Sequence, residues 1–258
     1  MARVFITGSS DGLGLMAAKL LLEQGHSVVL QARNEARAQH ARTAAPGAEA
    51  VVIGDLSSIA QMRGVAEQTN QLGAFDVVIH NAAVGYQEPQ RIATEDGLPQ
   101  VFAVNTLAPY VLTALIKRPK RLIYLSSGLH QNGDASLKDL AWTERRWHGT
   151  QAYSDSKFHD VLLAFAVARR WPNVLSNALE PGWVATKMGG ANAPDDLDQG
   201  HRTQVWLAVS NDAAAKVTGK YFFHLKLREA KPATHDVECQ EKLLEACKKF
   251  SGVELAQK

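Results

Sequence analysis

The sequence predicts an α/β protein: a doubly wound parallel sheet with helices on both faces, forming a single domain over residues 1–258. Three observations predict it. Short apolar runs bounded by turn residues alternate with longer segments of helical periodicity, in a regular strand–helix order. The runs are continuously apolar rather than alternating, as strands covered on both faces must be. The first run breaks into a glycine-rich turn that opens a helix, the unit by which such a sheet presents backbone N–H groups to a phosphate.

In order, Val4–Ile6 is the first strand and Thr7-Gly8-Ser9-Ser10-Asp11-Gly12-Leu13-Gly14 the turn. Leu13, Ala17, Leu20 and Leu21 then recur at helical spacing, and Gly25 stops the helix. Ser27–Gln31 is a second strand, Asn34–Ala45 a polar helix ended by Pro46-Gly47, and Ala50–Gly54 a third strand. Ser57 is the expected N-cap of a helix running to Leu72, and Phe75–His80 a fourth strand. The second half is less regular. A helix from about Gly97 through Ile116 should bend near Pro109, and strand Arg121–Leu125 ends in Ser126-Ser127-Gly128. Residues 129–150 read as irregular, and Ala152–Trp171 as a long helix leading to strand Val174–Leu179 and the turn Glu180-Pro181-Gly182. Thr186–Gln199 reads as a mobile loop. Helix Gln199–Val209, strand Tyr221–His224 and helix Val237–Phe250 close the chain.

Composition narrows the function. Hydrophobic residues make up 46% and charged residues 21%, an ordinary globular balance. Twenty-eight basic residues against 26 acidic ones leave a formal charge of +2, which argues against nucleic acid as the main partner. The charge clusters Lys117–Arg121 and Glu144–Arg146 read as solvated surface. Two cysteines, Cys239 and Cys247, make no disulfide framework, and no stretch approaches the ~18 apolar residues of a membrane span. A cytoplasmic protein acting on a small molecule, away from membranes, is expected. Nine histidines form no metal-ligand spacing. His80 reads as a strand-end residue and His159 as facing away from Tyr153 and Lys157, so no metal is expected.

Three features carry chemistry. Gln31-Ala32-Arg33 closes the second strand, where a dinucleotide-binding fold meets the adenosine ribose. Ala32 stands where an acidic residue would bind a free 2′-hydroxyl, and Arg33 offers donors for a 2′-phosphate; Arg37, one helical turn later, reads equally as an assisting donor or as a solvated helix arginine. NADP(H) is therefore preferred over NAD(H). Asp55 and Asn81 follow the third and fourth strands, at ligand-binding strand ends, although each also reads as a turn or capping residue. Tyr153 and Lys157 lie at i and i+4 on one helix face. A nearby ammonium favours the phenolate and lowers the tyrosine pKa, so the pair reads as a proton donor with its tuning cation, or as an exposed helix pair.

Taken together, the chain resembles the short-chain dehydrogenase/reductase family over nearly its whole length. The resemblance rests on the TGxxxGxG turn (Thr7, Gly8, Gly12, Gly14), Asp55-Leu56, Asn81-Ala82, Asn105, Ser127, the YxxxK pair Tyr153 and Lys157, and Pro181-Gly182 with Thr186. It implies a Rossmann fold and an NADPH-dependent interconversion of a ketone or aldehyde with an alcohol. Tyr153 would be the general acid/base, Ser127, rather than Ser126, would bond the carbonyl oxygen, and Lys157 would hold the nicotinamide ribose. Asn105 would position a relay water. The cofactor-binding set implied is Gly8, Ser10, Gly12, Leu13, Gly14, Arg33, Asp55, Leu56, Asn81, Ala82, Tyr153, Lys157, Pro181, Gly182, Val184 and Thr186.

Departures from the family pattern matter too. Thr106–Pro119 is shorter than the family's usual helix by roughly two turns, which puts the usual dimer or tetramer in doubt. Ser127–Tyr153 is long, as in the branch that includes retinol dehydrogenases; Trp142 and Trp147 within it either pack against the domain or line a substrate mouth. The loop at about 185–198 is expected to close over substrate, and Trp183, Val184 and Met188 suggest a lipophilic one. A catalytically silent NADP-binding sensor or scaffold is the alternative, although such proteins usually lose the tyrosine or lysine. A lyase or epimerase using the cofactor transiently ranks last.

Overall fold

Val4, Phe5 and Ile6 are fully buried in an inner strand of an eight-stranded sheet, and a strand covered on both faces needs this unbroken apolar run. The protein is described here by a computed structural model covering residues 1–257. Its strands are β1 (Arg3–Ile6), β2 (Ser27–Ala32), β3 (Ala50–Ile53), β4 (Val77–His80), β5 (Arg121–Leu125), β6 (Leu175–Glu180), β7 (Tyr221–Phe223) and β8 (Lys226–Leu227). They are ordered β3-β2-β1-β4-β5-β6-β7-β8. All neighbours are parallel except β7 and β8. The chain winds outward from β1 to β3 and returns to β4 on the other side of β1. That reversal opens a crevice at the carboxyl ends of β1 and β4.

The helices are α1 (Gly12–Glu23), α2 (Glu35–Ala44), α3 (Ile59–Gln71), α4 (Gln100–Phe102), α5 (Ala108–Leu115), α6 (Gly149–Arg170), α7 (Leu197–Val209) and α8 (Val237–Ser251). They cover both faces, and alternate strand residues divide between two cores. Phe5, Val29, Val78 and Leu122 pack under α3, α5, α6 and α8. Val4, Ile6, Val28, Ile79 and Ile123 pack under α1 and α7. Among the described residues no helix is long and apolar enough to cross a membrane.

Several elements differ from expectation for local reasons. The cap of α3 is Ser58, not Ser57: the Ser57 N–H is taken by Asp55 Oδ1 at 2.9 Å, and Ser58 Oγ accepts from Gln61 N. The expected bend near Pro109 is a π-turn over Ala103–Leu107, closed by the Ala108 N–H on the Ala103 carbonyl, so Pro109 falls in the first turn of α5 where its missing N–H is tolerated. The loop at 185–198 ends in helix, because Asp196 caps α7 at Leu197. Strand β8 was not foreseen. It returns through His224 and Leu225, both at positive φ, without the glycine that normally signals such a turn. Trp142 and Trp147 pack edge to face, with Trp142 buried and Trp147 Nε1 donating to the Glu88 carbonyl at 2.8 Å. Cys239 and Cys247 are buried and unpaired.

Candidate active site

A cleft of about 700 Å³ opens at the carboxyl ends of β1, β2, β4 and β5, and the glycine turn forms one wall. Hydrogen bonds from three strand ends fix the turn. The Gly8 N–H donates to Gln31 Oε1 at 2.8 Å, and Gln31 Nε2 donates to the Gly54 carbonyl at 2.8 Å. Thr7 Oγ1 accepts from the N–H groups of Asn81 and Ala82 at 3.0 and 3.1 Å, while Asn81 Nδ2 donates to the carbonyls of Thr7 and Gly8. The glycines permit this contact. Gly8 sits at φ +61° with room for a Cβ only 2.7 Å from Ala82 Cα, and a Cβ on Gly14 would lie 2.4 Å from Asn81 Nδ2. Gly14 is therefore a packing residue behind the turn, whereas Gly8, Ser10, Gly12 and Leu13 line the cleft. Sequence reading missed Gln31, since a glutamine closing a buried strand carries no signal of the turn it braces.

At the end of β2, Ala32 is buried and Arg33 exposed, and both line the cleft. Arg37 donates to Ser10 Oγ and Asp11 Oδ2, both at 3.2 Å. Asp11 caps α1 and also pairs with Lys187 of the loop. Lys187 above all, then the Gly12 N–H and Arg37, hold its carboxyl well below the usual carboxylate range despite partial burial. Asp11 is thus neutralised by two cations. Asp55, Leu56, Asn81 and Ala82 line the cleft at the ends of β3 and β4, and Asp55 also makes its turn with Ser57.

The opposite wall is α6. Tyr153 and Lys157 both face the cleft, with Lys157 Nζ 5.6 Å from the phenol ring centroid. Lys157 Nζ donates to the Leu125 carbonyl at 2.8 Å and to Asp160 Oδ2 at 2.9 Å. Burial opposes its charge, but Asp160 and Tyr153 outweigh that and raise its pKa. The expectation of a lowered tyrosine pKa is corrected here. Burial pushes the Tyr153 hydroxyl above the ordinary value; Lys157 and Ser127 pull it down, but Asp160 works against them. Asp160, absent from the sequence reading, adds to the rise that burial begins.

The two serines differ. Ser126 Oγ donates to the Lys157 carbonyl at 2.7 Å and is buried. Ser127 lies near enough to Tyr153 to favour its phenolate, and its Oγ accepts from Leu129 N at 3.3 Å. His130 Nε2 accepts from Lys231 N at 3.2 Å, so its proton sits on Nδ1 and is donated to the Ser127 carbonyl at 2.7 Å. Asn105 lies fully buried in the π-turn rather than on the cleft wall. Its Oδ1 accepts from Val84 N at 2.8 Å, and its Nδ2 donates to the Val84 carbonyl and Ser156 Oγ, both at 3.0 Å. Pro181 and Thr186 line the cleft beside Lys187 and Met188. Gly182 and Val184 instead support the loop from behind: Gly182, at φ +86°, abuts Asp195, and Val184 is buried and bridged to Asp195. His159 is buried against Thr106, away from the Tyr153 hydroxyl, with Nδ1 3.2 Å from the threonine oxygen. His80 closes β4, 3.0 Å from Thr113 Oγ1.

Residues 2–132 match the short chain dehydrogenase family. An oxidoreductase of Emericella nidulans is 49% identical over 98% of each chain. A Streptomyces protein named as a daunorubicin C-13 ketoreductase is 32% identical, covering 94% of this chain and 90% of its own. Retinol dehydrogenase 14 of Homo sapiens is 30% identical over 97% of this chain and 86% of its own. Among solved structures, a Mycobacterium paratuberculosis protein superposes with a TM-score of 0.85 at 23% identity, covering 99% of this chain and 95% of that one. A metagenomic blue fluorescent protein in complex with NADPH superposes at 0.69 and 22% identity, over 86% and 95%. At those identities the structural likeness is one of fold.

Proposed function

The chain belongs to the short-chain dehydrogenase family of oxidoreductases, and from that premise we propose that it is an NADPH-dependent reductase of a ketone or aldehyde, with Tyr153 as general acid and base. One observation carries the reading: Tyr153 and Lys157 line the same cleft as the glycine turn and Arg33. The residues fit a phosphorylated dinucleotide. A Cβ at Gly8 would close the cradle against Ala82, and the end of β2 carries Ala32 where a ribose-binding carboxylate would otherwise stand, with Arg33 next to it. The N–H groups of the turn and the start of α1 would hold the diphosphate, and Arg33 with Arg37 the 2′-phosphate.

When bound, the reduced nicotinamide supplies the hydride. Ser127 donates to the substrate oxygen and stabilises charge as it builds there. Tyr153 Oη gives its proton to the same oxygen, and takes one back in the reverse direction. Lys157 has three N–H donors, two of them taken by Leu125 and Asp160, and the third serves the nicotinamide ribose. The Asn105 side chain is fully occupied by Val84 and Ser156. Its backbone carbonyl, four residues before Pro109, has no α-helical N–H donor, and this carbonyl is the group we assign to the relay water. The exposed Trp183 and Met188 at the loop favour a lipophilic substrate; Val184, being buried, does not contribute. The ketoreductase name of the Streptomyces relative is consistent with this substrate class.

The test is loss of nicotinamide absorbance with NADPH and NADH in parallel, across a panel of apolar ketones, aldehydes and quinones. Turnover of at least one carbonyl with NADPH preferred is expected. Binding of neither nucleotide would overturn the reading.

A further inference from the structure

Asp160 follows Lys157 by one turn of α6 and is as deeply buried: the side chains of Lys157 and Asp160 are 2% and 3% exposed, with Nζ 2.9 Å from Oδ2. A carboxylate persists in such a place only when paired, and here its partner is the ammonium beneath the candidate acid. The other titratable groups facing the pair come from the same helix and from the sheet. Tyr153 lies one turn before Lys157. On β5, Tyr124 faces Asp160, and its hydroxyl is 2.8 Å from Thr113 Oγ1 of α5, which is in turn 3.0 Å from His80 Nε2 on β4. Burial pushes Tyr124 well above the ordinary tyrosine value and His80 down to about 3, so both are neutral around neutrality. Lys157 and Asp160 are the two charges in this layer, and the acid is hydrogen-bonded only to the lysine among the described residues.

We propose that Asp160 is a positioning residue that sets the charge felt by Tyr153: by neutralising the Lys157 ammonium it keeps the phenol protonated at mildly alkaline pH, primed as the proton donor that carbonyl reduction needs. The inference rests on the assignment of Tyr153 and Lys157 above. An unpaired ammonium would favour the phenolate, whereas an ion pair presents Tyr153 with nearly cancelling charges. Burial lifts the Asp160 carboxyl to about 7, against the pull of Lys157, which still leaves it ionised over the alkaline range in which a tyrosine titrates. The Leu125 carbonyl and Asp160 also fix the Nζ position, so the same contact orients the third N–H.

The test is an ultraviolet tyrosinate titration of the folded protein, with the Tyr153 transition isolated by subtracting the Tyr153→Phe variant from each background. It needs neither substrate nor turnover, so failure to reduce any carbonyl would overturn the functional reading without moving this measurement. In Asp160→Asn the Tyr153 transition is expected to fall by about 1 pH unit or more, as for a phenol facing an uncompensated cation, and to return towards the parent in Asp160→Glu. An unchanged transition in folded Asp160→Asn would overturn the proposal. Lys157→Gln/Asp160→Asn removes both charges and serves if the single variant does not fold. Its Tyr153 transition should stay near the parent's, and a clear rise would show that Lys157 acts uncompensated and would overturn the proposal.

Discussion

Gly8→Ala measures how tightly the phosphate turn is built. Gly8 has φ +61°, and a Cβ there would stand 2.7 Å from Ala82 Cα and 3.2 Å from Ala82 N, backbone atoms that cannot swing aside. The left-handed conformation costs an alanine about 1–2 kcal/mol. Overpacking against a fixed neighbour adds about 1–3 kcal/mol, for a total near 2–5 kcal/mol. Gly12→Ala is the internal control: it has φ +54° but no atom within 4 Å of its would-be Cβ, so it bears only the conformational cost. In a chain of this size each kcal/mol lowers the melting temperature by about 2–4 °C. Gly12→Ala should therefore lose about 2–8 °C and Gly8→Ala about 4–20 °C, read by thermal denaturation without nucleotide. Equal losses in the two variants would show that Gly8 is not pressed against Ala82, and would refute the account of the turn.

The remaining predictions concern selectivity, the serines and acid stability. Arg33→Ala and Arg37→Ala should each raise the KM for NADPH about 10- to 150-fold, the worth of a hydrogen bond to a charged group, and leave the KM for NADH nearly unchanged. Ser127→Ala should lower kcat about 10²- to 10³-fold, whereas Ser126→Ala, which loses a bond to the Lys157 carbonyl, should show mainly in the melting temperature. His159 is held neutral by burial, its pKa lowered from 6.5 to about 4. Below pH 6.5 the unfolded chain takes up a proton that the folded one refuses, so stability is present above 6.5 and is lost as pH falls towards 4. His159→Gln should flatten that part of the urea-unfolding free energy against pH by about 1.4 kcal/mol per unit, and an unaltered slope would contradict it.

What the sequence made legible follows from how each feature is encoded. Strands such as Val77–His80 and Arg121–Leu125 were readable because burial on both faces leaves an unbroken apolar run, and Tyr153 with Lys157 because helical spacing puts i and i+4 on one side. Gly8 was readable as a turn residue, but its contact with Ala82 depends on two loops meeting and has no local signature. Gln31, His130 and Asp160 were missed for that same reason: each acts through partners brought close by the fold, Gly8 and Gly54, Ser127 and Lys231, and Lys157. Local pattern likewise named the wrong serine as the cap of α3, since only the three-dimensional turn shows Asp55 taking the Ser57 N–H. The direction of the Tyr153 pKa turned on burial, which a one-dimensional pairing of tyrosine and lysine does not contain.

The central claim is that Tyr153 transfers the proton while other groups hold the nucleotide. The most direct measurement is Tyr153→Phe, with NADPH affinity read by nucleotide fluorescence and turnover read on whichever carbonyl the parent protein reduces. The account predicts NADPH binding within a few-fold of the parent and kcat lower by about 10²- to 10⁴-fold, the usual worth of a positioned acid. Turnover close to that of the parent, with binding intact, would contradict it.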